Sequence, residues 1–203
     1  THELRNPLAT ATLAGAQLRG LAGEHPRMIR AVNLLDRAHD SIRVLIERVL
    51  NAERLEAGEV IPVTKELELG ALLDPMLETL REMANTRSIS LLADYDPTIR
   101  LNVDPMLTSS AIGNLIENAI KYSSPGDVRL DVEERPSEIE VHVRDNCDGL
   151  SVEELRVIFE PFRRGRHGGK GAGLGLAIAR RAVEAQGGSI HVESKGRGCH
   201  FAL

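Results

Sequence analysis

An all-α helical hairpin followed by an α+β two-layer sandwich is the fold class this sequence predicts, on three observations. A seven-residue apolar repeat is legible between about residues 28 and 52. Alternation of apolar and polar residues, absent from residues 1–57, begins after about residue 60. Strand-like and helix-like stretches then intersperse, with one strand face left polar, which is the pattern of helices packed on one side of a sheet.

The hairpin rests on two stripes. Met28, Leu35, Ile42 and Val49 form one heptad row, and Ala31, Ala38, Leu45 and Ala52 the other, as in the a and d seam of a coiled coil. Leu4, Leu8, Ala11, Leu18 and Leu21 give a shorter stripe before it, and Gly23-Glu24-His25-Pro26 punctuates the two as a helix–turn–helix. Such seams cannot be buried by one hairpin, so a homodimeric four-helix bundle through residues 1–58 is expected; packing of the hairpin on the rest of the chain is the other solution.

Gly58 and Pro62 mark the boundary to a second domain, residues 59–203. Val128, Leu130 and Val132 alternate with Arg129, Asp131 and Glu133, and Ile139, Val141 and Val143 with Glu140, His142 and Arg144. These are strands with one wet face, turned at Arg135-Pro136-Ser137. Helices are expected at about 70–86, 105–121, 151–158 and 173–187. The chain opens inside a helical pattern and stops at Cys199-His200-Phe201-Ala202-Leu203 inside a strand pattern, so it reads as cut at both ends.

Composition narrows the function. Against 25 basic residues stand 30 acidic ones, a net charge of −5 that disfavours nucleic acid as the main partner. No apolar run approaches the roughly 20 residues of a membrane span, and the start is unlike a signal peptide. A cytoplasmic segment without membrane contact is therefore expected, whether or not the full-length protein is anchored in an inner membrane. Cys147 and Cys199 are too few for a disulfide framework and fit a reducing compartment.

Four stretches carry chemistry. In Thr1-His2-Glu3-Leu4-Arg5-Asn6-Pro7-Leu8, His2 and Asn6 share a helix face, and Glu3 beside the imidazole can take its proton. A solvated surface histidine is the plainer reading. In Asn114-Leu115-Ile116-Glu117-Asn118-Ala119-Ile120-Lys121-Tyr122, two carboxamides four residues apart suit Mg²⁺ and Lys121 suits a polyphosphate, although an amphipathic helix can carry such a face by chance. Asp145-Asn146-Cys147-Asp148-Gly149-Leu150 follows a strand: its carboxylate can accept from an adenine amino group and its glycine admits a planar base, or it is a plain turn. Gly171-Ala172-Gly173-Leu174-Gly175-Leu176 runs into a helix and presents N–H groups to phosphate. A Rossmann reading fails, because no βαβ unit surrounds it.

Taken in order, with Phe159-Glu160-Pro161-Phe162 between the last two, these stretches resemble the H, N, G1, F and G2 boxes of sensor histidine kinases. The resemblance covers almost the whole chain, including Arg54-Leu55-Glu56-Ala57-Gly58. It implies a HisKA-type hairpin with His2 as phosphoacceptor, and an ATP-binding sandwich of the GHKL type shared with gyrase B subunits and heat-shock chaperones. It also implies ATP and Mg²⁺ as cofactors, with Asn118 as metal ligand assisted by Asn114. Lys121 and Tyr122 resemble phosphate and ribose contacts, and Asp145 with Gly149 the adenine site. Gly171, Gly173 and Gly175, with Leu174 and Leu176, look like the phosphate-side turn, and Arg163, Arg164 and Arg166 lie where the family has its lid.

The implied reaction is autophosphorylation of His2, with Glu3 as base, then transfer to an aspartate of a response regulator. Glu3-Leu4-Arg5-Asn6 further matches the family's pattern for dephosphorylating the regulator, in which Asn6 would orient a water. One departure stands out: Cys147 occupies a position where the family usually has glycine. Either it is a tolerated small residue, or it is a thiol beside the nucleotide whose oxidation blocks binding. A protein serine kinase or ATP-gated clamp on the same fold is opposed by the His2 box and the hairpin. A degenerate scaffold has only Cys147 in its favour.

Overall fold

The computed structural model describes residues 14, 16–20, 25–56, 60–136, 138–163 and 172–203. His2, Glu3, Asn6, Arg164, Arg166 and Gly171 lie outside them. The chain divides into two compact units, Thr1–Glu53 and Arg54–Leu203.

In the first unit, one long helix, α1 (Pro26–Glu56), carries the heptad rows. Pro26 is its first residue, where a missing N–H costs nothing. Residues 16–20 are also helical, and Arg19 pairs with Asp36 of α1. The apolar row is left open: Met28, Leu35 and Ile42 are 43%, 47% and 50% exposed. The four-helix bundle itself is not evident in this chain.

In the second unit the elements run β1 (Lys65–Glu68), α2 (Leu69–Asn85), β2 (Ile89–Asp94), β3 (Arg100–Val103), α3 (Pro105–Tyr122), β4 (Gly126–Glu134), β5 (Ile139–Arg144), α4 (Val152–Val157), α5 (Gly175–Glu184), β6 (His191–Glu193) and β7 (His200–Ala202). β1 and β3 form a small antiparallel pair; the main sheet has the order β2-β4-β5-β7-β6. β2 pairs with β4 in parallel, and the other neighbours are antiparallel. The core lies between this sheet and its helices. Val128, Leu130 and Val143 of the sheet meet Leu73 and Leu77 of α2 and Ile112, Leu115, Ile116 and Ile120 of α3, all buried. This is the α+β sandwich that the alternating strands predict.

Each expected helix of this unit forms, within a few residues of its predicted ends, with α5 shorter than its pattern. The 126–134 and 139–144 strands also form. His142 departs from expectation. Its alternation assigns it to the wet face, yet it is 5% exposed, because His200 of β7 closes over it with Nδ1 to Nε2 at 3.0 Å. The same face carries Arg144 paired with Asp131, and Arg135 paired with Glu140.

Asp104 joins three segments at the start of α3. Its Oδ1 caps the helix by accepting from Met106 N–H and Leu107 N–H at 2.9 and 3.1 Å. Its Oδ2 accepts from Val63 N–H at 2.8 Å, and its own N–H donates to Gln186 Oε1 at 2.7 Å. The Val63 bond holds its carboxyl below the ordinary value. Asp104→Ala should cost about 1–2 kcal/mol in urea unfolding of the chain, with the loss shrinking as acid protonates the carboxyl.

His200 is also shifted down, but for a base this disfavours the charged form: burial, then Arg144 and His142, push its pKa below the ordinary value. In that window the unfolded chain takes a proton that the folded one refuses. The contribution is therefore fully present above about pH 6.5 and lost as pH falls below it. Unfolding midpoints measured from about pH 7.5 to about pH 5.5 should decline, and His200→Gln should flatten that decline.

Candidate functional site

The site assembles from three chain segments around one face of α3. This helix buries Ala111, Ile112, Leu115, Ile116, Ala119 and Ile120 at helical spacing. That leaves Asn114, Asn118 and Lys121 half-buried at its margin, the expected fate of a polar stripe beside an apolar one. Asn114 donates Nδ2–H to the Ser110 carbonyl one turn back at 2.7 Å. At the helix end, Lys121 Nζ donates to Tyr122 Oη at 2.9 Å, and the Lys121 carbonyl accepts from Arg87 at 3.0 Å.

The glycine-rich turn meets this stripe. A Cβ on Gly175, the first residue of α5, would stand 2.9 Å from Asn114 Oδ1 and 3.3 Å from Asn118 Nδ2. Only glycine lets the turn approach both carboxamides so closely. Gly173 has φ +71, and a Cβ there would lie 2.4 Å from the Arg163 carbonyl. The turn is thus seated on the end of the Phe159–Phe162 segment. Phe159 in turn packs edge-on against Phe201, with Arg180 of α5 over its ring. Arg163 pairs with Glu160 at 2.8 Å. Leu174 is buried and Leu176 half-buried, so both side chains anchor the turn from within.

The loop after β5 forms the third segment. Asp145 Oδ1 accepts from Cys147 N–H at 3.0 Å and Cys199 N–H at 2.9 Å, and Asp145 N–H donates to the Cys199 carbonyl at 3.0 Å. Gly149 has φ +82, and a Cβ on it would fall 1.7 Å from the Gly196 carbonyl oxygen. Ser194 completes the seam: its Oγ accepts from Leu150 N–H at 3.0 Å and donates to the Gly198 carbonyl at 2.8 Å. Among the described residues, the positive-φ positions outside glycine are Ser88 and Phe162. Cys147, where the family usually has glycine, therefore does not need the positive φ that would strain a side chain.

Asn114, Asn118 and Gly175 are thus brought together, with Gly173 just before Gly175 in the same turn, while Asp145 and Gly149 sit on a separate, well-braced loop. Sequence reasoning missed the partners of that loop: Ser194, Gly196, Gly198 and Cys199. The paired glycines in Ser194-Lys195-Gly196-Arg197-Gly198 were the available signal.

Residues 103–203 match the family model described as "Histidine kinase-, DNA gyrase B-, and HSP90-like ATPase". The sensor protein kinase PmrB of Pseudomonas aeruginosa is 33% identical over 93% of this chain and 40% of its own length. The sensor protein SrrB of Staphylococcus aureus is 28% identical over the whole chain and 36% of its own length. The chain is homologous to sensor histidine kinases. It spans less than half the length of these curated relatives. The crystal structure of full-length ShkA in complex with AMPPNP superposes with a TM-score of 0.89 at 26% identity, over 99% of this chain and 43% of ShkA. The second unit thus has the ATPase-type sandwich, and no helix among the described residues is long and apolar enough to cross a membrane.

Gly149→Ala tests the loop geometry directly. The side chain adds both a positive-φ penalty and a collision with the Gly196 carbonyl, so thermal unfolding should show a loss of more than about 1 kcal/mol. An equal or higher melting temperature would show that this close approach does not hold the loop.

Proposed function

We propose that the chain is the catalytic core of a sensor histidine kinase, with a hairpin over residues 1–58 that dimerises and carries the phosphoacceptor and a domain over 59–203 that binds ATP. The observation that supports this most is the seating of Gly175 against Asn114 and Asn118, because it sets a phosphate-binding turn beside two oxygen donors. The likeness to ShkA, whose structure contains AMPPNP, supports the same nucleotide class. The half-exposed seam of α1 supports the dimer, since a second copy would cover it.

In this reading Asp145 accepts from the adenine amino group and Gly149 lets the base approach the loop. Lys121 and Tyr122 reach the phosphates and ribose from the end of α3. Arg163, with Arg164 and Arg166, belongs to the lid, and Gly171, Gly173 and Gly175 form the turn under the phosphates. The carboxamide oxygens of Asn118 and Asn114 are hard donors of the kind Mg²⁺ takes, and when bound the ion would neutralise phosphate charge. The imidazole of His2 attacks the γ-phosphorus of ATP. The bond to the bridging oxygen breaks, ADP leaves, and Glu3 takes the imidazole proton. The phosphoryl group then passes to an aspartate carboxylate of a response regulator. Asn6 would orient the water that removes it again. In this reading these steps take place in the cytoplasm.

Incubation with γ-labelled Mg-ATP tests this reading. Label that survives alkali, is lost in acid and disappears in His2→Gln is expected. Asp145→Asn should weaken ATP binding by about tenfold or more, as loss of a charged acceptor does. Acid-stable label, or label that persists in His2→Gln, would refute the assignment.

A further inference from the structure

The loop that carries Asp145 also carries a buried sulfur pair. Cys147 and Cys199, far apart in sequence, are both free and buried, with Sγ atoms 3.0 Å apart. That is inside the usual non-bonded contact of about 3.5–4.0 Å between heavy atoms, and about 1 Å short of bond formation. We propose that Cys147 and Cys199 are an oxidative modification site, which peroxides close into an intramolecular disulfide that loosens the Asp145 loop's hold on its ligand.

The backbone explains why the two sulfurs meet. Asp145 N–H donates to the Cys199 carbonyl, and Gly198 N–H donates to the Cys147 carbonyl at 2.8 Å, so the loop and the start of β7 run side by side. A solvent-open cavity lined by Cys199 with Arg144, Asp145, Glu193, Lys195, Arg197 and His200 gives an oxidant its route. The pair divides the labour: the Cys147 hydrogen bond lowers the Cys199 thiol, while Cys199, burial and Asp145 push Cys147 up. Cys199, the one of the two that lines the cavity, is the attacking sulfur.

The chemistry balances with hydrogen peroxide as the two-electron oxidant. The Cys199 thiolate displaces hydroxide from the peroxide and becomes a sulfenic acid. Cys147 sulfur then attacks that sulfur, and its proton leaves with the sulfenic oxygen as water. Two thiols and one peroxide give one disulfide and two waters.

A metal is the other use of such a cluster, since Asp145, Cys147 and Cys199 offer donor atoms within 4.8 Å of one another. Tetrahedral zinc with bonds of about 2.3 Å would hold two thiolates about 3.8 Å apart, wider than this pair. Asp145 Oδ1 is also already engaged by two N–H groups.

Closure draws Cys147 and Cys199 together, and the two N–H groups that fix Asp145 Oδ1 belong to those same residues. The carboxylate must shift with them. The effect on nucleotide rests on the reading of Asp145 as the adenine acceptor; disulfide formation itself does not.

The test treats the full reduced chain with hydrogen peroxide, then measures free thiols, intact mass and ATP affinity by calorimetry. Expected are loss of both thiols, a mass lower by two hydrogen atoms, and ATP binding about tenfold weaker that dithiothreitol restores. Cys199→Ser should give the same ATP affinity before and after peroxide, and Cys147→Ala should gain oxygen without forming the link. Two thiols remaining, or added oxygen without loss of hydrogen in the unsubstituted chain, would overturn the proposal. So would a disulfide that leaves ATP affinity unmoved, or thiol protection that a chelator removes. If the reduced chain binds no ATP, the nucleotide reading fails, while thiol count and mass still decide the disulfide.

Discussion

One carboxylate oxygen ties the last strand of the sheet to the loop that leaves β5. Asp145 Oδ1 accepts from the N–H groups of Cys147 and Cys199 together, and the Asp145 N–H closes the circuit on the Cys199 carbonyl. Two donors on one oxygen fix the direction of the carboxylate far better than one would, because rotation about the side chain breaks both at once. The rest of the loop depends on this. With residues 145–147 held against 198–199, Gly149 is forced against Gly196, and Ser194 fills the space between Leu150 and Gly198. A ligand that reads Asp145 therefore reads a group whose position is set by β7.

The second anchor is α3, which meets the core and the site with different faces. Its apolar side is fully buried, while Asp104 caps its start and binds Val63 and Gln186 from two other segments. A helix held that firmly can present Asn114 and Asn118 at fixed positions, and the absent side chain of Gly175 lets the turn before α5 close on them. The oxygen donors and the glycine turn thus share one rigid support. The Asp145 loop is carried by the sheet. In this account the nucleotide would bridge two independently braced elements, one helical and one in the sheet.

What the sequence revealed and what it hid follow from range. The strands at 126–134 and 139–144 were legible because alternation is local, and the helix at 105–122 because Asp104-Pro105 starts it and its apolar spacing is regular. The short strands β1, β3 and β6 were not legible, since three or four residues carry too little alternation to stand out, whereas β7 showed as the strand pattern at Cys199–Leu203. The Asn114, Asn118 and Gly175 cluster could be anticipated from motif order. Its contact distances could not. The nearness of Cys147 to Cys199 was wholly hidden, because it arises from pairing across 52 positions of chain. The same pairing buried His142, which alternation alone had placed in water. His2, Glu3 and Asn6 lie outside the described residues, so the phosphoacceptor remains a reading of the sequence and of its likeness to sensor kinases.

Amide chemical-shift mapping of the full chain, titrated with ATP, probes the central claim most directly. The account predicts the largest shifts at Asp145–Gly149, at Asn114 and Asn118 of α3, and at Gly173–Leu176, with little change on the open sheet face at Arg129, Asp131 and Glu133. Shifts confined to that open face, or none at the glycine turn, would contradict it.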